Sequence, residues 1–165
     1  MSTTRPSTPA SSRRAPVQTT ALVVGAAFLL VGVLGFVPGI TTDYGSMSGA
    51  GHHSGAMLLG VFQVSVLHNL LHLAFGVVGI LLSRKPSPAK LFLVVGGVTY
   101  LALWVYGLVV SEDSSANFVP LNTADNWLHL VLGLGMVALG LVMPRRYTRE
   151  TAPSQHGPTA GGDIQ

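Results

Sequence analysis

Four stretches of the chain are almost purely apolar, and segments rich in polar residues, Gly, Ser or Pro separate them. The stretches cover residues 20–37, 66–83, 91–110 and 127–143, and none contains Asp, Glu, Lys or Arg. As a helix, an apolar run of about 20 residues spans a hydrocarbon core of roughly 30 Å. The pattern therefore predicts an all-α membrane protein, a four-transmembrane-helix bundle with helices at about 20–38, 66–83, 89–110 and 124–143.

The segments outside these stretches predict the rest of the organisation. Residues 1–18 and 147–165 are rich in Ser, Thr, Pro and Gly, so both are predicted to be disordered tails around a membrane domain of residues 19–146. The first long loop is predicted to be flexible because of its Gly and Ser content. The short apolar stretch 58–64 is predicted to lie at the membrane interface or to re-enter before the second helix.

The distribution of charge predicts the orientation. The chain is 48% hydrophobic and 9% charged, whereas soluble domains carry about a quarter charged residues. All nine Lys and Arg lie near the termini or between the second and third stretches, and the other two loops carry acidic residues alone. By the positive-inside rule, both termini are predicted to be cytoplasmic in a multi-pass plasma-membrane protein. The expected partner is the lipid bilayer rather than nucleic acid, which would need basic residues clustered on one folded surface.

A short motif occurs twice inside the apolar stretches. Residues 68–76 read HNLLHLAFG, and residues 125–133 read DNWLHLVLG. Asn69 and His72 match Asn126 and His129 at a constant offset of 57 positions. A weaker similarity pairs the VVG segment that starts at Val23 with the one that starts at position 94. These matches predict two tandem two-helix repeats, related by a pseudo-two-fold axis along the membrane normal.

The polar residues of the motif share helix faces with glycines. In lipid, glycine stripes mark helix–helix contacts because they let backbones approach closely. The motif is therefore predicted to face a packed interior. This placement avoids the free-energy cost of exposing the imidazoles to acyl chains. The predicted packing glycines are Gly25, Gly32, Gly76, Gly79, Gly133 and Gly140.

Two functions of this cluster remain open at the level of sequence. In the first, Asn69, His72, Asn126 and His129 form a structural polar clasp near the outer leaflet of an interaction protein, with a homo-oligomer or another membrane protein as partner. In the second, His68, His72, Asp125 and His129 bind a transition metal, or His72 and His129 ligate a b-type haem.

Further alternatives carry less support. A Met/His tract in the first loop is a candidate copper ligand set, formed by Met47, His52, His53 and Met57. An oligomeric transport pore is a weaker alternative. No nucleophile–base pair is visible, so no enzymatic activity is predicted. The absence of cysteine excludes disulfides and thiolate metal sites.

Three segments of the sequence resemble a known family. They are VVGAAFLLVGVLGFVPGI from position 23, GVFQVSVLHNLLHLAFGVVGIL from position 60, and ADNWLHLVLGLGMVALG from position 124. They are similar to an actinobacterial family of small four-helix membrane proteins known only as a domain of unknown function. The family often carries Pro just before the His-Asn pair, near the place of Val66. The resemblance implies a bacterial plasma membrane and retention of the first helix, and it implies no activity.

Overall fold

Four helices make up most of the structure, a computed structural model that describes residues 14–146. Helix α1 spans Pro16–Leu34, α2 spans Val66–Leu82, α3 spans Pro86–Val109 and α4 spans Thr123–Val142. Three of them, α1, α3 and α4, are long and apolar enough to cross a membrane. Helix α2 is equally apolar but has 17 residues, a length of about 25 Å. The predicted all-α fold with four helices is confirmed.

Helix α1 begins and ends four residues earlier than the sequence predicts. Pro16 occupies the first helical position, where a missing N–H costs no hydrogen bond. The Gln18 side chain caps the helix by accepting a hydrogen bond from the Ala15 N–H at 2.9 Å. Residues 16–18 of the predicted N-terminal tail therefore belong to α1, whereas residues 1–13 and the predicted tail 147–165 lie outside the described residues. Helix α3 likewise begins three residues early, at Pro86.

The first long loop folds into a small antiparallel sheet, which the apolar pattern did not indicate. Its strands are β1 (Thr41–Thr42), β2 (Met57–Leu58) and β3 (Phe62–Gln63), in the order β1-β2-β3. The stretch predicted as interfacial or re-entrant forms the β2–β3 hairpin. Apolar side chains of the sheet region pack on the end of α1 and form a small core of their own, made of Ala56, Leu58 and Val64 against Val31 and Leu34.

The helices pair as two hairpins, α1 with α2 and α3 with α4, and α1 also contacts α3 in the centre of the bundle. We call the end with the sheet and the 110–122 loop the loop end, and the end with the α2–α3 connection the turn end. The central core is apolar, formed by Val17, Ala21, Phe28, Ala89, Phe92, Leu93, Tyr100 and Met136.

Large apolar side chains remain exposed along the outside of the helices. Val23 is 62% exposed on α1, Val95 is 53% exposed on α3, and Val131 is 66% exposed on α4. Soluble proteins seldom present apolar patches of this extent to water. The outer surface is suited to contact with a lipid bilayer.

Candidate functional site

Three histidines of the repeated motif line one cavity of about 150 Å³ at the loop end of the bundle, between α2 and α3. His68 and His72 come from α2, and His129 reaches the cavity from α4. The predicted convergence of the histidines is therefore present, although α3 supplies a large part of the wall. The other lining residues are Leu71, Phe75, Thr99, Tyr100, Leu103 and Val119.

The histidine rings are held by their own helix and by aromatic neighbours. His68 and His72 are one helical turn apart, and their rings stack with centroids 4.6 Å apart and planes 12° apart. His72 Nδ1 donates a hydrogen bond to the His68 carbonyl oxygen at 3.0 Å, which leaves Nε2 as an acceptor in the uncharged ring. Phe28 lies against His72, and Tyr100 lies against His129, at centroid distances of 5.7 Å and 5.1 Å.

Two ring nitrogens in this cluster have no hydrogen-bond partner within the described part of the chain. They are the Nδ1 atoms of His68 and His129, whose side chains are only 6% and 4% exposed. The great majority of buried polar atoms in native structures have a hydrogen-bond partner, so each of these two unpaired nitrogens requires an explanation.

Asp125, the fourth predicted metal ligand, does not line the cavity. Its Oδ2 accepts hydrogen bonds from the backbone N–H groups of Gln63 at 2.9 Å and Asn122 at 3.1 Å. Asn122 caps α4 and donates from Nδ2 to the Val61 carbonyl oxygen at 2.8 Å. The carboxylate thus ties the start of α4 to strand β3 and is 2% exposed. Asp125 is one helical turn before His129 on α4. Residue 125 therefore lies beside the loop, whereas residue 129 lies beside the core.

The two asparagines of the motif each lie against a glycine of the neighbouring helix. The Asn69 amide occupies the space where a Cβ on Gly35 would be, and the Asn126 amide occupies the same space at Gly107. Any larger residue at either glycine overlaps the amide. The asparagines therefore fix helices within each hairpin, whereas the sequence predicted a clasp between the two halves.

The six predicted packing glycines all lie in close helix–helix contact. A Cβ added to Gly25 lies 2.9 Å from the Ile80 backbone nitrogen, and one added to Gly76 lies 2.6 Å from the Leu29 backbone nitrogen. Such distances require the backbones to separate. The remaining four meet side chains of other helices at 2.6–2.8 Å, namely Gly32, Gly79, Gly133 and Gly140.

Corresponding contacts recur in the two hairpins at constant sequence offsets. Gly25 packs on Gly76 in the first hairpin, and Gly97 packs on Gly133 in the second. Between these two contacts the α2–α4 offset is 57 positions and the α1–α3 offset is 72. The sequence similarity between α1 and α3 pairs Val23 with position 94, an offset of 71, which differs by one residue from the offset of the two glycine contacts.

A second cavity, of about 280 Å³, lies between α1 and α4. Ala27, Phe28 and Val31 line it, and they are the residues 72 positions before Thr99, Tyr100 and Leu103 of the first cavity. Leu128 and Leu132 likewise correspond to Leu71 and Phe75 at an offset of 57. The second cavity is apolar except for His72, which borders both.

The described residues do not assemble a ready metal centre. Among residues 14–146, no group of three or more His, Cys, Asp or Glu side chains has an arrangement that holds a metal ion. His52 and His53 of the predicted copper tract stack on each other with centroids 3.9 Å apart.

Several residues of the site were not predicted from sequence. Phe28, Phe75, Thr99 and Tyr100 read as ordinary residues of apolar helices. An alignment of α1 with α3 at an offset of 72 pairs Phe28 with Tyr100, and it gives no signal for Phe75, which lies on α2.

The fold and the site define a class, an apolar four-helix bundle with three helices that could span a membrane and with a buried polar cluster near one end. The family model described as Domain of unknown function (DUF4383) matches residues 18–142, and the chain belongs to this family. The predicted resemblance to a family known as a domain of unknown function is thereby confirmed, whereas the actinobacterial origin stays a prediction. No curated protein and no solved structure matches the chain.

Proposed function

We propose that this protein is a non-catalytic, four-span membrane protein whose His/Asn cluster is a polar clasp that holds the bundle together for interaction within the membrane. The observation that carries the proposal is the hydrogen bond from the Gln63 N–H to Asp125 Oδ2, which joins α4 of one hairpin to β3 beside the other. The Asn122 N–H donates to the same oxygen within the cap of α4. The asparagine–glycine contacts within each hairpin support the same role. Both the Asp125 carboxylate and the Asn122 side chain hydrogen-bond residues of the first long loop, namely Gln63 and Val61.

The clasp is tested by removing its carboxylate. Asp125→Ala leaves the Gln63 and Asn122 amides without their shared acceptor, at about 1–3 kcal/mol for each buried N–H. We expect a lower unfolding midpoint in mild detergent. Asp125→Asn keeps one carbonyl oxygen and serves as the matched control, with most of the stability restored. An Asp125→Ala protein as stable as the wild type contradicts the clasp.

The proposed orientation places the turn end in the cytoplasm of a bacterial cell, with both termini on that side of the plasma membrane. The distribution of the nine Lys and Arg supports it, since Arg84, Lys85 and Arg145 lie at the turn end and Glu112 lies at the loop end. Helix α2 then spans the membrane at the short end of the usual range.

We further propose that the two hairpins are tandem repeats about a pseudo-two-fold axis. The stacking of Phe28 on Tyr100 supports this, with ring centroids 5.3 Å apart and planes 22° apart. These residues are equivalent at the offset of 72, and a residue meets its own equivalent only beside the axis. The Phe28–His72 and Tyr100–His129 pairs repeat the same relation.

A transition-metal site is the second candidate function. It is favoured by one observation, the shared cavity of His68, His72 and His129. Asp125 is not among the residues that line this cavity, and the haem alternative stays a prediction. Association into a homo-oligomer, pairing with another membrane protein and an oligomeric transport pore stay predictions.

A further inference from the structure

We propose that a groove at the turn end of the bundle, between the start of α3 and the segment that follows α4, binds an anionic phospholipid. In this proposal the phosphate pairs with Lys90 and Arg145, and an acyl chain lies on the apolar surface beside them. The proposal goes beyond the clasp, because it concerns the opposite end of the bundle and assigns a ligand. It rests on contact of the outer surface with lipid.

The groove has a volume of about 470 Å³ and is open on one side. Two segments that lie far apart in the sequence form it. The first three turns of α3 and the third residue after α4 supply its lining, which consists of Ser87, Pro88, Lys90, Leu91, Val94 and Arg145. The two cations therefore meet only because α3 and α4 pack together.

Contacts below and beside the groove hold its two sides in place. The Pro144 carbonyl oxygen accepts a hydrogen bond from the Val17 N–H at 3.4 Å, so the residue before Arg145 is tied to α1. A Cβ added to Gly140 would lie 2.7 Å from Val94 Cγ2, so α4 and α3 are in close contact at the inner end of the groove. The fold, rather than an attraction between side chains, thus brings the two cations to one groove.

The groove combines an apolar surface with positive charge at its edge. Its surface is mostly apolar although two of its lining residues are cationic. Lys and Arg bury their methylene stems along apolar surface and keep their charged ends in polar surroundings, and Lys90 is half-buried. Val94 lies about 6 Å further along α3 than Lys90, toward the middle of the bundle. A phospholipid has the same order of groups, a charged phosphate followed by apolar chains.

No carboxylate in the described part of the chain is placed to neutralise these cations. All four acidic residues within 14–146 lie at the loop end, namely Asp43, Glu112, Asp113 and Asp125. Two like charges beside one groove repel each other, and an anion between them removes the repulsion. Lys and Arg form strong charge-assisted hydrogen bonds with phosphate oxygens, and basic pockets between membrane helices suit anionic headgroups.

The first hairpin offers a comparison at the corresponding position. At the offset of 72 positions given by the glycine contacts, Gln18 corresponds to Lys90. The Gln18 amide is neutral and already donates hydrogen bonds to the carbonyl oxygens of Ser83 and Arg84. We therefore expect one specific phospholipid per chain, at the second hairpin.

Other ligands match the groove less well. Inorganic phosphate pairs with the cations but leaves the apolar surface uncovered, including Leu91, which is 59% exposed. Phosphatidylcholine carries a quaternary ammonium next to its phosphate, which the two cations repel. An anionic phospholipid satisfies both the charged edge and the apolar surface.

The test counts the lipids bound to the full chain by native mass spectrometry. The protein is purified in a mild non-ionic detergent and titrated with phosphatidylglycerol or phosphatidylcholine of identical acyl chains. Since the two lipids share the phosphate and the chains, they differ in net charge. We expect one phosphatidylglycerol per chain, with an affinity about tenfold or more above that of phosphatidylcholine. Inorganic phosphate at the same concentration is expected to leave that lipid bound.

Two double variants of equal net charge locate the phosphate. Lys90→Gln/Arg145→Gln removes the two cations of the groove, and Arg84→Gln/Lys85→Gln removes two exposed cations of the same end that do not line it. We expect the first variant to lower the affinity for phosphatidylglycerol about tenfold or more, because it loses charge-assisted hydrogen bonds. The second variant is expected to stay within about threefold of the wild type.

A pair of tryptophan variants tests the apolar part of the groove with all cations retained. Leu91→Trp fills the groove, and Val95→Trp adds the same ring about one turn further along α3, outside it. The replaced side chains are 59% and 53% exposed, so neither change disturbs the core. We expect Leu91→Trp to lower the affinity about tenfold or more and Val95→Trp to leave it within about twofold.

Four results overturn the proposal. They are equal affinities for the two lipids, equal losses in the two double variants, equal losses in the two tryptophan variants, and displacement of phosphatidylglycerol by an equal concentration of inorganic phosphate. The unfolding midpoint of each variant is measured on the same samples to show that it is folded. Because the clasp is tested by the stability of the Asp125 variants and the groove by bound lipid, one proposal can fail without the other.

Discussion

Asn69 and Asn126 fill spaces that exist only because Gly35 and Gly107 have no side chain. The asparagine amides are buried in a bundle whose outer surface is apolar, and a missing Cβ lets the neighbouring backbone approach them. At the residue scale, stability therefore depends on pairs of positions, each made of one small and one polar residue.

A glycine substitution tests this pairing. Gly107→Ala places a Cβ on the Asn126 amide, so we expect a loss of about 1–3 kcal/mol from overpacking. Gly135→Ala on α4 is the matched control, because its Cβ meets nothing within 4 Å and helix propensity favours alanine. The measurement is the unfolding midpoint of both variants in the same detergent. A Gly107→Ala protein as stable as the Gly135→Ala protein contradicts the pairing.

The polar member of each pair could be predicted from the sequence, and the glycine member could be predicted only in part. His72, His129, Asn69 and Asn126 stand out because polar side chains are rare in apolar stretches. Gly35 does not stand out, since it lies in a run where glycine also marks the helix end. A glycine's partner depends on the register between two helices, which a local pattern does not contain.

At the turn end, the hydrogen bonds of one side chain connect the ends of two helices. At the turn end, Gln18 Nε2 of α1 donates to the carbonyl oxygens of Ser83 at 3.1 Å and Arg84 at 2.8 Å, which close α2. Its Oε1 caps its own helix. One side chain thus fixes the start of α1 and its position against α2.

Removing that side chain is expected to loosen the turn end. Gln18→Ala loses three hydrogen bonds in a half-buried position, so we expect the free energy of unfolding to fall by about 1–3 kcal/mol. Thr19→Ala, at an exposed neighbouring position, is the control and is expected to change stability by less than about 0.5 kcal/mol. Equal effects of the two substitutions would show that the Gln18 contacts contribute nothing.

The helices were predictable as elements, and the sheet was not. An apolar run of 17–24 residues carries a strong signal through its length and composition. Strands of two residues carry almost none, because alternation needs several residues to be visible. The early start of α1 depended on the Gln18 cap, which lies outside the apolar run.

The whole molecule is two similar hairpins that meet along α1 and α3. Its order of helices and its apolar surface follow from the sequence, because length and composition determine both. The contact of Phe28 with Tyr100 does not follow, since it requires knowing which faces of two apolar helices meet.

Orientation in the membrane is testable because the chain has no cysteine. Single-cysteine variants at two exposed serines report the two ends of the bundle, Ser115→Cys at the loop end and Ser87→Cys at the turn end. In intact cells, a membrane-impermeant maleimide is expected to label Ser115→Cys and to label Ser87→Cys only after lysis. The reverse pattern would place the termini outside.

The proposed clasp requires that the histidine cluster be held by protein contacts rather than by a metal. The most direct measurement is the unfolding midpoint of the wild type and of the His72→Gln/His129→Gln double variant, both purified without chelator, before and after addition of EDTA. The clasp predicts no effect of EDTA on either protein and a lower midpoint for the double variant, which loses the contacts with Phe28 and Tyr100. A wild-type midpoint that falls to that of the double variant on addition of EDTA contradicts the clasp and identifies a metal site.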